Sequence, residues 1–214
     1  MGARKKLSLI HVLKENDMDT NVCRFHFDGE MLGSVAGKHP LVEIGCCTVS
    51  RPEDMKKFEV LIRPFDAPYE YGARNVLRRP YQEYHDCGVD PRDAAHAFID
   101  FLKSVAGGRK IEISCVNPGF DIGFLKVFLS TYADDEVGVI GYKAYDVVSY
   151  ACGVFRLPLS QMSAVKAWGL LKEWSKEIHD KYFRGLITHN ALQDAIDQTM
   201  LLLALEEYVL SKNV

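Results

Sequence analysis

Four carboxylates and one histidine stand in three short motifs of this 214-residue chain. Asp28 and Glu30 belong to Phe27-Asp28-Gly29-Glu30, and Asp121 closes Asn117-Pro118-Gly119-Phe120-Asp121. His189 and Asp194 bracket His189-Asn190-Ala191-Leu192-Gln193-Asp194. Carboxylate oxygens are the ligands that hard divalent cations take, and a neutral imidazole beside them can accept a proton from water. Together these residues suit a site that holds two divalent cations and activates water.

Local structure decides whether they can meet. Residues two apart on a strand point the same way, so Asp28 and Glu30 share one face at a strand end, with Gly29 adding no bulk between them. Two such carboxylates repel unless a cation neutralises them. Alone, a D-x-E triplet more often marks a solvated strand end. Here it lies between Arg24-Phe25-His26-Phe27 and Leu41-Val42-Glu43-Ile44-Gly45, both of which read as buried strands.

Asp121 follows a strand-to-helix junction, with Asn117 placed to cap and Pro118 suited to the first helical position. His189 and Asp194 would lie about 140° apart on a continuous helix, so they converge only if His189 is outside it. Asn190-Ala191-Leu192-Gln193 resembles a capping box, with Asn190 as cap and Gln193 reaching back. Asp121 and Asp194 then occupy equivalent positions in two helices. A helix-dipole role would equally suit each aspartate taken alone.

The expected elements are strands over Val22–Asp28, Leu41–Val49 and Lys57–Arg63, a long loop over Pro64–Asp90, and a helix capped by Asp90 and ended by Gly107-Gly108. A strand over Lys110–Val116, a helix from Pro118 to Tyr132, a short strand within Val139–Asp146 and a helix over Val147–Val154 follow. Gln161–Lys176 reads as helix, with Trp168 and Trp174 in an accessory or a packing role. A last helix runs from Ala191 to Leu210. This order implies an α/β single domain, a mixed central sheet flanked by helices.

The net charge of −3 excludes a strongly basic nucleic-acid coat. The six cysteines contain no C-x-x-C pair, which argues against a zinc ribbon and for buried thiols in a reducing, cytoplasmic setting. Residues 1–20 read as a flexible polar lead-in and residues 21–214 as the folded domain. The run before Leu13 contains His11 and meets Lys14-Glu15-Asn16-Asp17 with no cleavage site, so it is a poor signal peptide. Lys6 stands where myristoylation wants Ser or Thr. No apolar run approaches membrane-spanning length, so no membrane partner is expected.

The order and setting of the three motifs resemble the DEDDh branch of the DEDD 3′→5′ exonuclease superfamily, which has a ribonuclease H-like fold. Val42-Glu43-Ile44-Gly45 resembles the strand after the family's first motif, and His85-Asp86-Cys87-Gly88-Val89 its H-G-I segment. The resemblance spans about residues 22–210. It implies that Asp28, Glu30, Asp121 and Asp194 hold two Mg²⁺ or Mn²⁺ ions, that His189 is the general base, and that single-stranded 3′ ends are the substrate. Stand-alone relatives include homodimers, so a homodimer is a partner to test. Where the family runs on as Thr-Gly-Leu, this chain has Met31-Leu32-Gly33-Ser34, which makes Leu32 the candidate wedge against terminal bases. Tyr69, Tyr71, Tyr81 and Tyr84 interleave with Arg74, Arg78 and Arg79 in the long loop, a pattern that suits stacking and phosphate contact or a half-buried surface loop. Candidate substrate contacts are therefore Met31, Leu32, Asn117, Phe120, Arg74 and Arg78. The alternative class is a non-catalytic nucleic-acid-binding module on the same fold. The filling of all five site positions argues against it.

Overall fold

The computed structural model describes residues 21–65, 69–186 and 188–212; the expected lead-in over residues 1–20 lies outside them. Five strands form one mixed sheet in the order β3-β2-β1-β4-β5. They are β1 (Val22–Met31), β2 (Leu41–Thr48), β3 (Lys57–Leu61), β4 (Lys110–Cys115) and β5 (Ala144–Asp146). β1 pairs antiparallel with β2 and parallel with β4, so the first strand lies at the centre. The parallel step from β1 to β4 needs a long crossover, and the segment that supplies it includes helices α1 (Tyr71–Val76), α2 (Tyr81–Cys87) and α3 (Pro91–Ala106). Helices α4 (Asp121–Tyr132), α5 (Val147–Phe155), α6 (Ala164–Trp174), α7 (Lys176–Tyr182) and α8 (Ala191–Lys212) complete the fold.

Strand alternation sorts side chains between two cores. Phe25, Phe27, Ile44 and Cys46 face a cluster that contains Phe98 and Leu102 of α3 and Leu125 and Leu129 of α4. The neighbouring residue Cys47 faces the other way, toward Trp168 of α6 and Leu201 and Leu205 of α8. With helices on both faces, β2 is buried throughout. α8 is likewise buried along most of its length, which explains why its sequence has no clean polar stripe.

Asp90 accepts a hydrogen bond from the Arg92 N–H at 2.9 Å, Pro91 opens α3, and Gly107 ends it at φ 59°, as the sequence leads one to expect. The long loop over Pro64–Asp90 is not structureless, because α1 and α2 lie within it. They are anchored by burial: Tyr84 is fully buried and packs with Leu32 and Val42. The single helix expected over Gln161–Lys176 is a 3₁₀ turn at Leu159–Gln161, then α6, with α7 after it. Ser163 caps α6 by accepting from the Lys166 N–H, which fixes the later start. Trp168 is buried against His179 and Phe183, a packing role.

Candidate active site

The site forms where α8 lies across the C-terminal half of β1. Phe25 and Phe27 enter the α3–α4 core, so His26, Asp28 and Glu30 turn to the opposite face, toward α8. Gly45 of β2 lets the helix come in. A Cβ there would lie 2.0–2.2 Å from backbone atoms of Ala191 and Leu192, closer than any real contact. Glu43, two residues earlier on the same face, is fully buried and accepts from the Ala191 N–H at 3.0 Å and the Asn190 Nδ2 at 3.1 Å. By accepting from the Ala191 N–H, this carboxylate satisfies a buried helix N-terminal donor. The Tyr84 hydroxyl donates to Glu43 at 3.3 Å, and Arg79 lies 3.4 Å away. The Val-Glu-Ile-Gly segment is thus the seat of α8.

The turn before α8 is held equally firmly. Asp194 Oδ1 accepts from the Thr188 N–H at 2.6 Å and its Oγ1 at 2.8 Å, and Oδ2 accepts from the His189 N–H at 2.8 Å. His189 adopts a left-handed φ of 53°, a conformation that costs a non-glycine residue roughly 1–3 kcal/mol. The surrounding bonds hold that strain and fix the imidazole over the cleft. Asn190 caps α8 by accepting from the Gln193 N–H at 2.9 Å, but Gln193 does not reach back. Its side chain donates to Asp197 at 3.1 Å instead.

At the other aspartate the helix begins later than expected. α4 starts at Asp121, not at Pro118, because residues 118–120 form a turn. The hydrogen bonding is still equivalent. The Asp121 N–H donates to the Asn117 carbonyl at 2.9 Å, and the Asp194 N–H donates to the Asn190 carbonyl at 2.9 Å.

Asp28, Glu30, Asp121, His189 and Asp194 all line one cleft of about 420 Å³. Glu30, His189 and Asp194 each offer one ligand atom within 4.8 Å of the others. Burial raises Asp28 well above the ordinary carboxylate range, and the Asp121, Glu30 and Asp194 charges add to it. Burial lifts Glu30 to about 8, helped by Glu43, Asp194 and Asp121. Burial lifts Asp121 to about 7, against the pull of its own N–H and that of Asn117. Such a set is costly to ionise alone and fits hard cations well: oxygen donors dominate, and none of the described residues lining the cleft is a cysteine.

Of the expected substrate contacts, Met31 and Phe120 line the cleft. Leu32 does not. A register shift between Glu30 and Met31 precedes it, and its side chain, 1% exposed, packs with Val42 and Tyr84. Leu32 is therefore core rather than wedge. Asn117 is exposed beside the cleft and holds the turn before α4 through its carbonyl. Arg78 is exposed and does not line the cleft, and the Arg74 side chain lies outside the described residues. Arg79 is paired with Glu43, Glu59 and Glu83. Glu70, Gly72, Ala73, Val76 and Leu77, in and around α1, line the cleft instead. Glu70 ties these residues to the segment after β1 by accepting from the Ser34 N–H and Oγ.

Sequence reasoning assigns no role to Gln198, His26 or Ser114, and it notes Glu43 and Gly45 only within an expected strand and as part of a resemblance. Signals are present: a histidine on the face of Asp28, a glutamate inside an apolar strand, and a glutamine one helical turn after Asp194.

No protein-family model matches the sequence. Over 128 residues the chain is 27% identical to the 3′-5′ DNA exonuclease Cap18 of Escherichia coli, a stretch covering 59% of this chain and 66% of Cap18. The zinc-bound E. coli ExoI–ssDNA complex superposes with a TM-score of 0.66 at 14% identity, covering 90% of this chain and 42% of that one. The nuclease domain of 3′hExo, a DEDDh family member bound to rAMP, superposes with a TM-score of 0.65 at 14% identity, covering 86% of this chain and 92% of that one. The chain thus spans about two-fifths of the length of the ExoI chain and 66% of Cap18. At these identities the two structures show a common fold, the ribonuclease H-like mixed sheet flanked by helices. Sequence and fold together bear out the resemblance to the DEDD exonuclease superfamily. Among the described residues, no helix is long and apolar enough to cross a membrane.

Proposed function

We propose that this chain is a metal-dependent 3′→5′ exonuclease of the DEDDh type, acting on single-stranded nucleic acid. The observation that carries the reading is the meeting of Asp28, Glu30, Asp121, Asp194 and His189 in one cleft. Asp28, Glu30, Asp121 and Asp194 would hold two Mg²⁺ or Mn²⁺ ions. Such ions supply the positive charge that lets an anionic phosphodiester accept a nucleophile and release an alkoxide.

The protein's own groups do the rest. His189 accepts a proton from the attacking water through a neutral ring nitrogen, which its backbone hydrogen bond to Asp194 helps to aim. The water oxygen bonds to phosphorus as the bond from phosphorus to the 3′-oxygen breaks. The products are a nucleoside 5′-monophosphate and a chain shortened by one nucleotide, whose released 3′-oxygen takes a proton from solvent water to become the new 3′-hydroxyl. Phe120, Met31, Val76 and Leu77 offer apolar surface in the cleft, which suits an unpaired base. The lining carboxylates repel a phosphate, so bound cations would supply attraction for it there.

The relative with matching sequence is named a DNA exonuclease, so single-stranded DNA is the first substrate to offer and RNA the second. The test is a 5′-labelled oligonucleotide with Mn²⁺. The expected result is a ladder descending one nucleotide at a time. Release of the labelled 5′ nucleotide first, cutting of closed circles, or undiminished cleavage in excess EDTA would overturn the reading.

A further inference from the structure

Behind Asp28 runs a chain of buried polar groups that the proposed reaction does not use. Gln198 lies on α8, one turn past Asp194, and its Nε2 donates to Asp28 Oδ1 at 2.9 Å. Its Oε1 lies 2.7 Å from His26 Nε2. His26 Nδ1 lies 2.8 Å from Ser114 Oγ on β4, and that hydroxyl is 3.1 Å from the Phe25 carbonyl. His26 is fully buried, with Ser114 and Gln198 nearly so. Three elements, β4, β1 and α8, therefore meet in one hydrogen-bonded line that ends on a carboxylate at the site.

The donor directions along this line follow from chemistry. An Asp28 that ligates a cation is ionised and only accepts, so in that state the amide nitrogen of Gln198 must face it. The amide oxygen then faces His26, so Nε2 must carry a proton. In the neutral ring Nδ1 is left as an acceptor, and the single Ser114 hydroxyl hydrogen, otherwise directed at the Phe25 carbonyl, can turn to donate to it. Turning the Gln198 amide over would set its oxygen against the ionised carboxylate and, in this tautomer of His26, its NH₂ against the Nε2 proton, losing both bonds. With its surroundings buried, that loss is expensive.

We propose that Gln198 is a positioning residue for Asp28. It pins Oδ1 through an amide whose oxygen is engaged by His26, so that the remaining lone pairs of the carboxylate are presented to a cation. The claim rests on the reading of Asp28 as a metal ligand. Partners that orient metal ligands in this way typically contribute about 10–100-fold to metal affinity.

The test measures Mn²⁺ binding to the full chain by calorimetry or by the EPR signal of free Mn²⁺, with no turnover involved. Two variants are compared with wild type. Gln198→Met keeps the volume without a donor, and Gln198→Asn keeps the amide but draws it back by one carbon. Each that retains the wild-type circular dichroism spectrum is expected to bind Mn²⁺ about 10–100-fold more weakly. In an Asp28→Asn background, the same Gln198 substitutions are expected to add little further loss, because they act through Asp28. Folded Gln198 variants that bind Mn²⁺ as wild type does would overturn the positioning claim and leave the ligand reading standing. A loss that multiplies in full on Asp28→Asn would do the same. A wild-type protein that takes up no Mn²⁺ would overturn the ligand reading, and this claim with it.

Discussion

Removing divalent cations should make the stability of this protein fall as pH rises from 5 to 8. In the folded chain Glu30 titrates near 8, Asp121 near 7, and Asp28 well above its ordinary value. In the unfolded chain all three titrate near 4. Between these limits the native state holds protons that the unfolded state has released. A raised carboxyl pKa therefore gives stability that is fully present below about pH 4 and is lost as pH climbs through the folded value. Each retained proton corresponds to about 1.4 kcal/mol per pH unit. The groups repel one another, so they do not act independently; one net proton kept over three pH units gives about 4 kcal/mol. For a domain of this size about 1 kcal/mol moves Tm by 2–4 °C, so a fall of roughly 8–16 °C is expected between pH 5 and pH 8. Thermal unfolding in EDTA at several pH values reads this directly. Added Mn²⁺ should raise Tm much more at pH 8 than at pH 5, where protons compete for the same oxygens. Glu30→Gln or Asp121→Asn should flatten the metal-free profile. A Tm in EDTA that is constant or rises over this range, or an Mn²⁺ shift equal at both ends, would refute the reasoning.

The carboxylates should not respond alike to neutralisation. Asp28→Asn, Glu30→Gln, Asp121→Asn and Asp194→Asn should each remove most nuclease activity; near-normal turnover at ordinary Mg²⁺ would remove that residue from the ligand set. Asp194→Asn alone should also lower metal-free stability, by about 1–3 kcal/mol in urea unfolding, because three donors from Thr188 and His189 converge on its carboxylate. His189→Ala should slow turnover roughly 10²–10⁴-fold while Mn²⁺ binding persists, and loss of Mn²⁺ binding instead would make His189 a ligand. Gly45→Ala should cost about 1–3 kcal/mol and much of the activity, since the added methyl meets the backbone of Ala191 and Leu192; an unchanged Tm would show that α8 can shift at no cost.

Much of the site is legible in the sequence because carboxylates are unusual where apolar alternation predicts burial, while the two helix-start aspartates, ordinary when taken singly, gain meaning from the order of the three motifs. Phe25 and Phe27 alternate with His26 and Asp28, and that period alone puts Asp28 and Glu30 on one face. The capping pattern at Asn190 correctly sets His189 outside α8. Contacts between distant segments are what local pattern does not carry. Nothing near Leu32 announces that a register shift will turn it under Tyr84, 52 positions further on. Tyr84 and Arg79 read as an aromatic and a cation in a loop suited to nucleic acid, yet both are committed to a glutamate on β2. Helices α1 and α2 have six and seven residues, too short to show a period, and hold their form by docking. Gly45 is one of 16 glycines, and only the approach of α8 explains it.

The most direct measurement is an anomalous difference map from crystals grown with Mn²⁺ and a nucleoside 5′-monophosphate. The proposed function predicts two manganese peaks between Asp28, Glu30, Asp121 and Asp194, with the phosphate against them and the His189 ring on the phosphate side. A single peak held by Glu30, His189 and Asp194, with Asp28 and Asp121 unengaged, would contradict it, as would no peak in the cleft.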